Sequence, residues 1–314
     1  MLKKKILVIG GAGYIGTELC NSLCAKYDIT CLDTFWFGNF LNKKIKKIRC
    51  DIKNLKKINL KKFHTVIHLA YLSNDPLCEL NPKETWETGP LALYNLLEKC
   101  KEAKVKKFIF ASSGSIYGIK KERHVTEKLK MEPLTDYNKS KMICEKVLES
   151  YRNFFKLIIL RPATVCGFSK RLRLDVVINL LCYQAYYKKK ILVLGGDQVR
   201  PILHLKDMIR AYDFCIKKNI SGIFNVGFEN IKVKNLANEI SKKLKCKILF
   251  KKSNDPRSYR MNSDKIKKLG FYPKFNYKNS IDDLLREFKK GFKPSINNFN
   301  LNYLTKKKLV EKIK

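Results

Sequence analysis

The sequence has 314 residues, a formal net charge of +38, 45% apolar and 11% aromatic side chains. A chain of that length and apolar content buries a full core, which excludes a disordered chain; it allows one large domain or two intimate ones. No run approaches 18 apolar residues, so a membrane-spanning helix is excluded as well. The charge is carried by 55 Lys against 11 Arg, spread over residues 43–47, 56–62, 188–190, 242–252 and 306–314. Readers of phosphates and bases usually enlist Arg and gather it on one element. Coding bias and solubility therefore explain the Lys better than a nucleic-acid partner, although the charge still draws anions toward a cleft. The eleven Cys form no CxxC pair and no zinc spacing, so no metal site is expected and the thiols read as reduced. Only residues 6–9 are apolar before the first glycines, too short a run for a signal peptide, and the protein reads as cytoplasmic.

In chain order, residues 5–9 form a short β-branched run that stops at Gly10-Gly11-Ala12-Gly13-Tyr14-Ile15-Gly16. An amphipathic stretch over 14–26 follows, then strands over 29–32, 45–50, 65–69 and 107–112. Long helices are expected over 82–103 and 137–155, and a strand over 157–160. Strands alternating with helices make βαβ units, so the fold class is α/β, a doubly wound parallel sheet of Rossmann type. Beyond Arg161-Pro162 the pattern loosens into strands over 191–194, 223–226 and 247–250 and helices over 205–218, 233–244 and 281–290. The expected division is a dinucleotide-binding domain of residues 1–165, with 202–227 returning to it, and a smaller C-terminal α/β substrate domain of 166–201 and 228–314.

Gly10, Gly13 and Gly16 stand between a strand and a helix. The first permits a tight turn, the second a close approach of pyrophosphate, the third close helix–strand packing. The helix start then offers free N–H groups and partial positive charge to phosphates. Asp33 ends the next strand, 20 residues past Gly13. A carboxylate there accepts from both adenosine ribose hydroxyls and repels a 2′-phosphate, which favours NAD over NADP. Asp51 ends the third strand, placed either to accept from the adenine amino group or to cap its own loop.

Tyr137 and Lys141 are spaced i, i+4, on one helix face and about 6 Å apart at Cβ. A cation so placed lowers the phenol from its usual value near 10 and makes a base usable near neutral pH. Ser112-Ser113 ends the fifth strand on the carboxyl edge, where ligands of such sheets bind.

Taken in order, Gly10–Gly16, Asp33, Asp51, His68-Leu69-Ala70, Ser112-Ser113 with Tyr117-Gly118, and Tyr137 with Lys141 resemble the extended short-chain dehydrogenase/reductases. Arg161-Pro162, residues 200–207, Asp255-Pro256-Arg257, Asp264-Lys265 and Leu269-Gly270 continue the resemblance to about residue 290. The branch is the nucleotide-sugar epimerase/dehydratase one, in the general form of UDP-glucose 4-epimerase. The resemblance implies an enzyme that transiently oxidises C4 of an NDP-hexose, with Tyr137 as base assisted by Ser113 and Lys141. It implies NAD bordered by Gly10, Gly13, Tyr14, Ile15, Gly16, Asp33, Asp51, Ile52, Leu69, Ala70, Tyr137 and Lys141. The substrate would meet Ser113, Asn179, Arg200 and Arg257, the two Arg on its diphosphate. A homodimer through the helices over 82–103 and 137–155 is implied as well. The alternatives are a reductase of an NDP-4-keto-sugar and a non-catalytic binder of dinucleotide or RNA.

Several positions depart from that pattern. Ser113-Gly114-Ser115 replaces the Thr-Asp-Glu of sugar 4,6-dehydratases, and the Cys of 3,5-epimerases is missing at Ser115. Gly89 stands where an Asn usually borders the cofactor, and Cys166 where a Tyr is usual. Residues 168–173 form an unusual loop, expected on the substrate side. His68 and His204 read as structural.

Overall fold

The structure is a computed structural model and describes residues 3–55, 58–253 and 258–299. The first half runs β1 (Lys5–Ile9), α1 (Tyr14–Leu23), β2 (Asp28–Asp33), β3 (Lys46–Arg49) and β4 (Thr65–His68). The short helices α2 (Asp75–Leu80) and α3 (Pro82–Trp86), a π turn (Glu87–Leu91) and α4 (Ala92–Glu102) come next. β5 (Lys107–Ala111), α5 (Asp136–Glu149) and β6 (Lys156–Pro162) complete that half. The second half runs β7 (Thr164–Cys166), α6 (Val177–Lys188), β8 (Lys190–Leu194), β9 (Val199–His204), α7 (Leu205–Lys217) and β10 (Gly222–Val226). β11 (Glu229–Lys232), α8 (Val233–Leu244), β12 (Lys247–Lys251), α9 (Asp264–Lys268) and α10 (Tyr277–Lys289) follow.

Seven strands form one parallel sheet in the order β10-β6-β5-β4-β1-β2-β3. Its inner strands β1, β4, β5 and β6 are largely apolar and buried because both faces are covered. Ile6 and Val8 of β1 face the core shared with α1 and α7; Leu7 and Ile9 face the core shared with α4 and α5. The strand order reverses between β1 and β4, and the crevice outside the carboxyl ends at that reversal is where ligands of doubly wound sheets bind. The expected strand over 223–226 is β10, which pairs with β6 and brings the chain back to the large sheet.

Three strands of the second half are absent from the sequence reading: β7, β9 and β11, in a sheet of order β11-β9-β7. Pro201 inside β9 argues against a strand, yet β9 is paired on both sides, parallel to β7 and antiparallel to β11. Helix α6 also escapes, being apolar nearly all round. The helix expected over 82–103 is broken: Pro90 has no N–H to give, and the chain kinks at Gly89 (φ −85°, ψ −106°) within the π turn. All eleven cysteines are free thiols, as expected. Among the described residues no group of His, Cys, Asp and Glu is arranged for a metal, and no helix is long and apolar enough to cross a membrane.

Candidate active site

A cavity of about 730 Å³ opens along the carboxyl edge of the large sheet. It runs from the glycine loop past Asp33 and Asp51 to Ser113, Tyr137 and Lys141, then toward β8 and Arg200.

At the glycine end the backbone itself makes the surface. Gly10 lies in the left-handed region (φ +81°), and a Cβ there would sit 2.4 Å from the Ala70 nitrogen. A Cβ on Gly16 would sit 2.3 Å from the Gly10 carbonyl oxygen, so helix α1 can approach β1 only with glycine here. Gly13 is the N-cap of α1, with no side-chain cap, and Gly13, Tyr14, Ile15 and Gly16 line the cavity. Uncapped first-turn N–H groups are an anion site in waiting. Asp33 braces the loop: its Oδ2 accepts from the Ala12 N–H (2.9 Å) and its Oδ1 from the Phe35 N–H (2.8 Å). Burial raises its carboxyl above the usual range, with these N–H donors opposing. Asp33 also lines the cavity. Asp51 also lines the cavity and accepts from the Lys53 N–H (3.0 Å), so the loop-capping role and the ligand-facing position coincide. Ile52, Leu69 and Ala70 supply apolar wall beside them.

Tyr14 is a strut as well as a lining residue. Its hydroxyl donates to the Gly167 carbonyl (2.7 Å) and accepts from the Asn179 amide (3.3 Å). Asn179 further accepts from the Gly167 N–H (3.0 Å), donates to the Arg173 carbonyl (2.8 Å), and is fully buried. Its amide is consumed by the fold and does not line the cavity, which corrects the expectation that it meets substrate.

The tyrosine end is built from side chains. Thr135 caps α5, so Tyr137 stands in its first turn and Lys141 one turn later. Helix α5 is held on the sheet by a buried network. Arg161 donates to both Glu145 oxygens (3.0 and 2.6 Å), Ser112 donates to Glu145 (2.5 Å), and Arg161 reaches the Tyr117 hydroxyl (2.8 Å). The Ser113 hydroxyl stands beside the Tyr137 phenol and lies 2.7 Å from the Ser115 hydroxyl. Burial pushes the Tyr137 phenol above its ordinary value; the Arg173 guanidinium and the Ser113 hydroxyl act against that.

Lys141 departs from expectation. Its ammonium donates to the Ala111 carbonyl (2.7 Å) and sits 6.0 Å from the Tyr137 ring centre but 3.7 Å from that of Tyr71. Of the charges around Tyr137, the Arg173 guanidinium works against its burial. Burial lowers the Lys141 amine to about 8.

The loop over 168–173 spans both ends of the cavity, with Ser169 and Arg171 at the glycine end and Arg173 beside Tyr137. Ser169 donates to the Tyr14 carbonyl (3.1 Å), and Arg171 lies buried 4.1 Å over the Phe37 ring. Arg173 pairs with Asp175 (3.0 and 2.6 Å) and donates to the Ser73 carbonyl (3.2 Å). Tyr71, Arg171 and Arg173 line the cavity and were missed; the scarcity of Arg was the one available signal for two of them. Arg200 lines the far end, and Arg257 lies outside the described residues. Cys166 is a buried thiol, raised by burial to about 12, and takes no part in the lining. His68 is buried between Phe108 and Phe110, lowered by burial to about 3, and neutral.

The tight glycine contacts, the uncapped helix start and the Asp33 carboxylate fit a dinucleotide, and the fold is that of dinucleotide-dependent enzymes. Residues 6–227 match the model of the NAD dependent epimerase/dehydratase family, so the chain belongs to that family: it is an enzyme of epimerase or related oxidoreductase type, with NAD as cofactor. It is 26% identical to UDP-glucose 4-epimerase of Lactobacillus helveticus over 90% of this chain and 94% of that one. It is 27% identical to the human dTDP-D-glucose 4,6-dehydratase, covering 92% of this chain and 91% of that one. Among solved structures, UDP-glucuronic acid 4-epimerase from Bacillus cereus, in complex with UDP-glucuronic acid and NAD, superposes with a TM-score of 0.82. That match has 28% identity, over 92% of this chain and all of that one.

Proposed function

We propose that the protein epimerises a nucleotide-activated hexose at C4. The observation that carries this reading is the Tyr137 phenol, beside the Ser113 hydroxyl, on the wall of a cavity shared with the glycine loop and Arg200. NAD, when bound, supplies reversible two-electron oxidation of a carbinol carbon. Gly10, Gly13, Ile15 and Gly16 hold its pyrophosphate by backbone, Asp33 its adenosine ribose, and Tyr137 and Lys141 border its nicotinamide ribose. Tyr137 acts as its phenolate, the form that the neighbouring Arg173 and Lys141 cations favour: it takes the proton of the sugar 4-hydroxyl and returns it as the alcohol re-forms, while Ser113 holds the same oxygen. Arg200 and Arg257 grip the substrate diphosphate with guanidinium forks suited to it. In this reading residues 1–165 with 202–227 carry the dinucleotide, and 166–201 with the chain from 228 onward seat the sugar nucleotide. Both epimerases and dehydratases occur among the relatives; Ser113-Gly114-Ser115 presents two hydroxyls and no carboxylate, which supports epimerisation over elimination. Subunits pairing through α4 and α5 would cover Leu91, Tyr94 and Phe154, large apolar side chains that are at least half exposed.

The test is a panel of NDP-hexoses with the purified protein. Two sugars should interconvert with no net formation of NADH, and Tyr137→Phe should lower turnover about 10³-fold with bound NAD retained. Stoichiometric consumption of NADH by a keto sugar would identify a reductase instead. Failure of every sugar in the panel would end the proposal.

A further inference from the structure

Lys141 is a buried cation whose surroundings are mostly ring and carbonyl. It is 3% exposed, and among the described residues no carboxylate forms an ion pair with it. An ammonium has three N–H donors, and the Ala111 carbonyl takes one. The ring faces of Tyr71 (3.7 Å) and Phe110 (4.7 Å) cover the charge from two other sides. Tyr71 is fixed in turn. Its hydroxyl donates to the Ser140 hydroxyl (2.6 Å), which donates to the Tyr137 carbonyl (2.9 Å), and its ring meets that of Tyr137 edge-on at 5.7 Å. The space for this ring exists because residue 89 has no side chain. A Cβ on Gly89 would lie 2.5 Å from the Tyr71 oxygen and 3.0 Å from its Cζ.

We propose that Tyr71 is a positioning residue: its ring face holds the Lys141 ammonium under the reacting end of the cavity, and Gly89 is the vacancy that admits the ring. The proposal rests on Tyr137 and Lys141 being the working pair. A ring face within 4 Å of a desolvated ammonium favours the charged form, against the burial that lowers it. The other titratable groups around Lys141 are His68 on β4, Cys78 on α2, and Tyr137, Cys144 and Glu145 on α5.

Labelling of Lys141 by acetic anhydride across pH, followed by peptide mass spectrometry on the purified holoenzyme, reads its half-protonation point without turnover. In Tyr71→Leu that point should fall by about one pH unit, and kcat should fall about tenfold with KM for the sugar nucleotide within about twofold. Tyr71→Phe, which keeps the ring, should restore both. Gly89→Ala, which touches Tyr71 and not the ammonium, should move both in the same direction as Tyr71→Leu. Should Tyr71→Leu not fold, Tyr71→Met reads the same effect. A labelling curve and kcat in Tyr71→Leu equal to the parent's overturn the proposal, as does Tyr71→Phe being as damaged as Tyr71→Leu. An active Tyr137→Phe would sink the functional reading instead, and the labelling arm would still report on Tyr71 by itself.

Discussion

The two ends of the cavity are built from different material. At the glycine end the ligand-facing atoms are peptide groups of α1 and its loop, and side chains serve mainly by being absent, as at Gly10 and Gly16. At the tyrosine end the lining polar atoms are on side chains from four separate stretches, carrying Tyr71, Ser113, Tyr137 with Lys141, and Arg173. A backbone site tolerates change anywhere except where a Cβ intrudes. A side-chain site depends on how each neighbour's charge is desolvated and balanced, so its chemistry is set by residues far apart in the chain.

The contrast can be broken most forcefully through the scaffold of the tyrosine end. Arg161→Met leaves the Glu145 carboxylate buried without its cation, and urea unfolding should show a loss of about 3–5 kcal/mol. A loss below about 1 kcal/mol would mean that α5 is held by apolar packing alone. Next in size is a pH effect. The Lys141 amine falls from 10.5 to about 8 on folding, so between those values the unfolded chain binds more protons and stability rises with pH. Lys141→Met removes this dependence. The variant should be more stable than the parent by up to about 3 kcal/mol at pH 7, and the gap should close by pH 10. A constant gap across that range would contradict the buried, charged amine.

Gly16→Ala probes the opposite end. The added methyl meets backbone at Gly10 and Gly11, which must shift, at a cost of about 1–3 kcal/mol. The protein should then purify with little bound NAD, measured by absorbance after denaturation; full occupancy would show that the close glycine packing is dispensable. The smallest effect separates lining from bracing. Asn179→Ala should cost about 1–3 kcal/mol in stability and leave KM for the sugar nucleotide unchanged, because its amide bonds Gly167, Tyr14 and Arg173. A raised KM with unaltered stability would return Asn179 to the substrate site.

The glycine end was almost fully legible. A strand of continuous apolar residues, a tight turn, a helix start and an acid after the second strand are local spacings, and each has one cheap physical meaning. The Tyr137–Lys141 pair was legible for the same reason, but its electrostatics were misread. Helical spacing puts two side chains on one face, yet the direction of a four-carbon stem is chosen by what surrounds it, here the Ala111 carbonyl and the Tyr71 ring. Asn179 was expected in the cavity wall because the second half of the chain carries no regular period from which to count. Strand β9 carries Pro201, which pairs with β11 alone, the β7 ladder beginning only at Ile202.

By its own residues the chain determined the parallel sheet, the glycine turn, Asp33 and the face shared by Tyr137 and Lys141, since these follow from backbone sterics and periodicity within about twenty positions. Tertiary structure alone decided that Tyr71 fits over Gly89, that Lys141 is covered by rings, and that Arg173 comes to oppose the burial of the phenol. Those outcomes depend on desolvation and on contacts across the crevice, and both come into being only when distant segments pack.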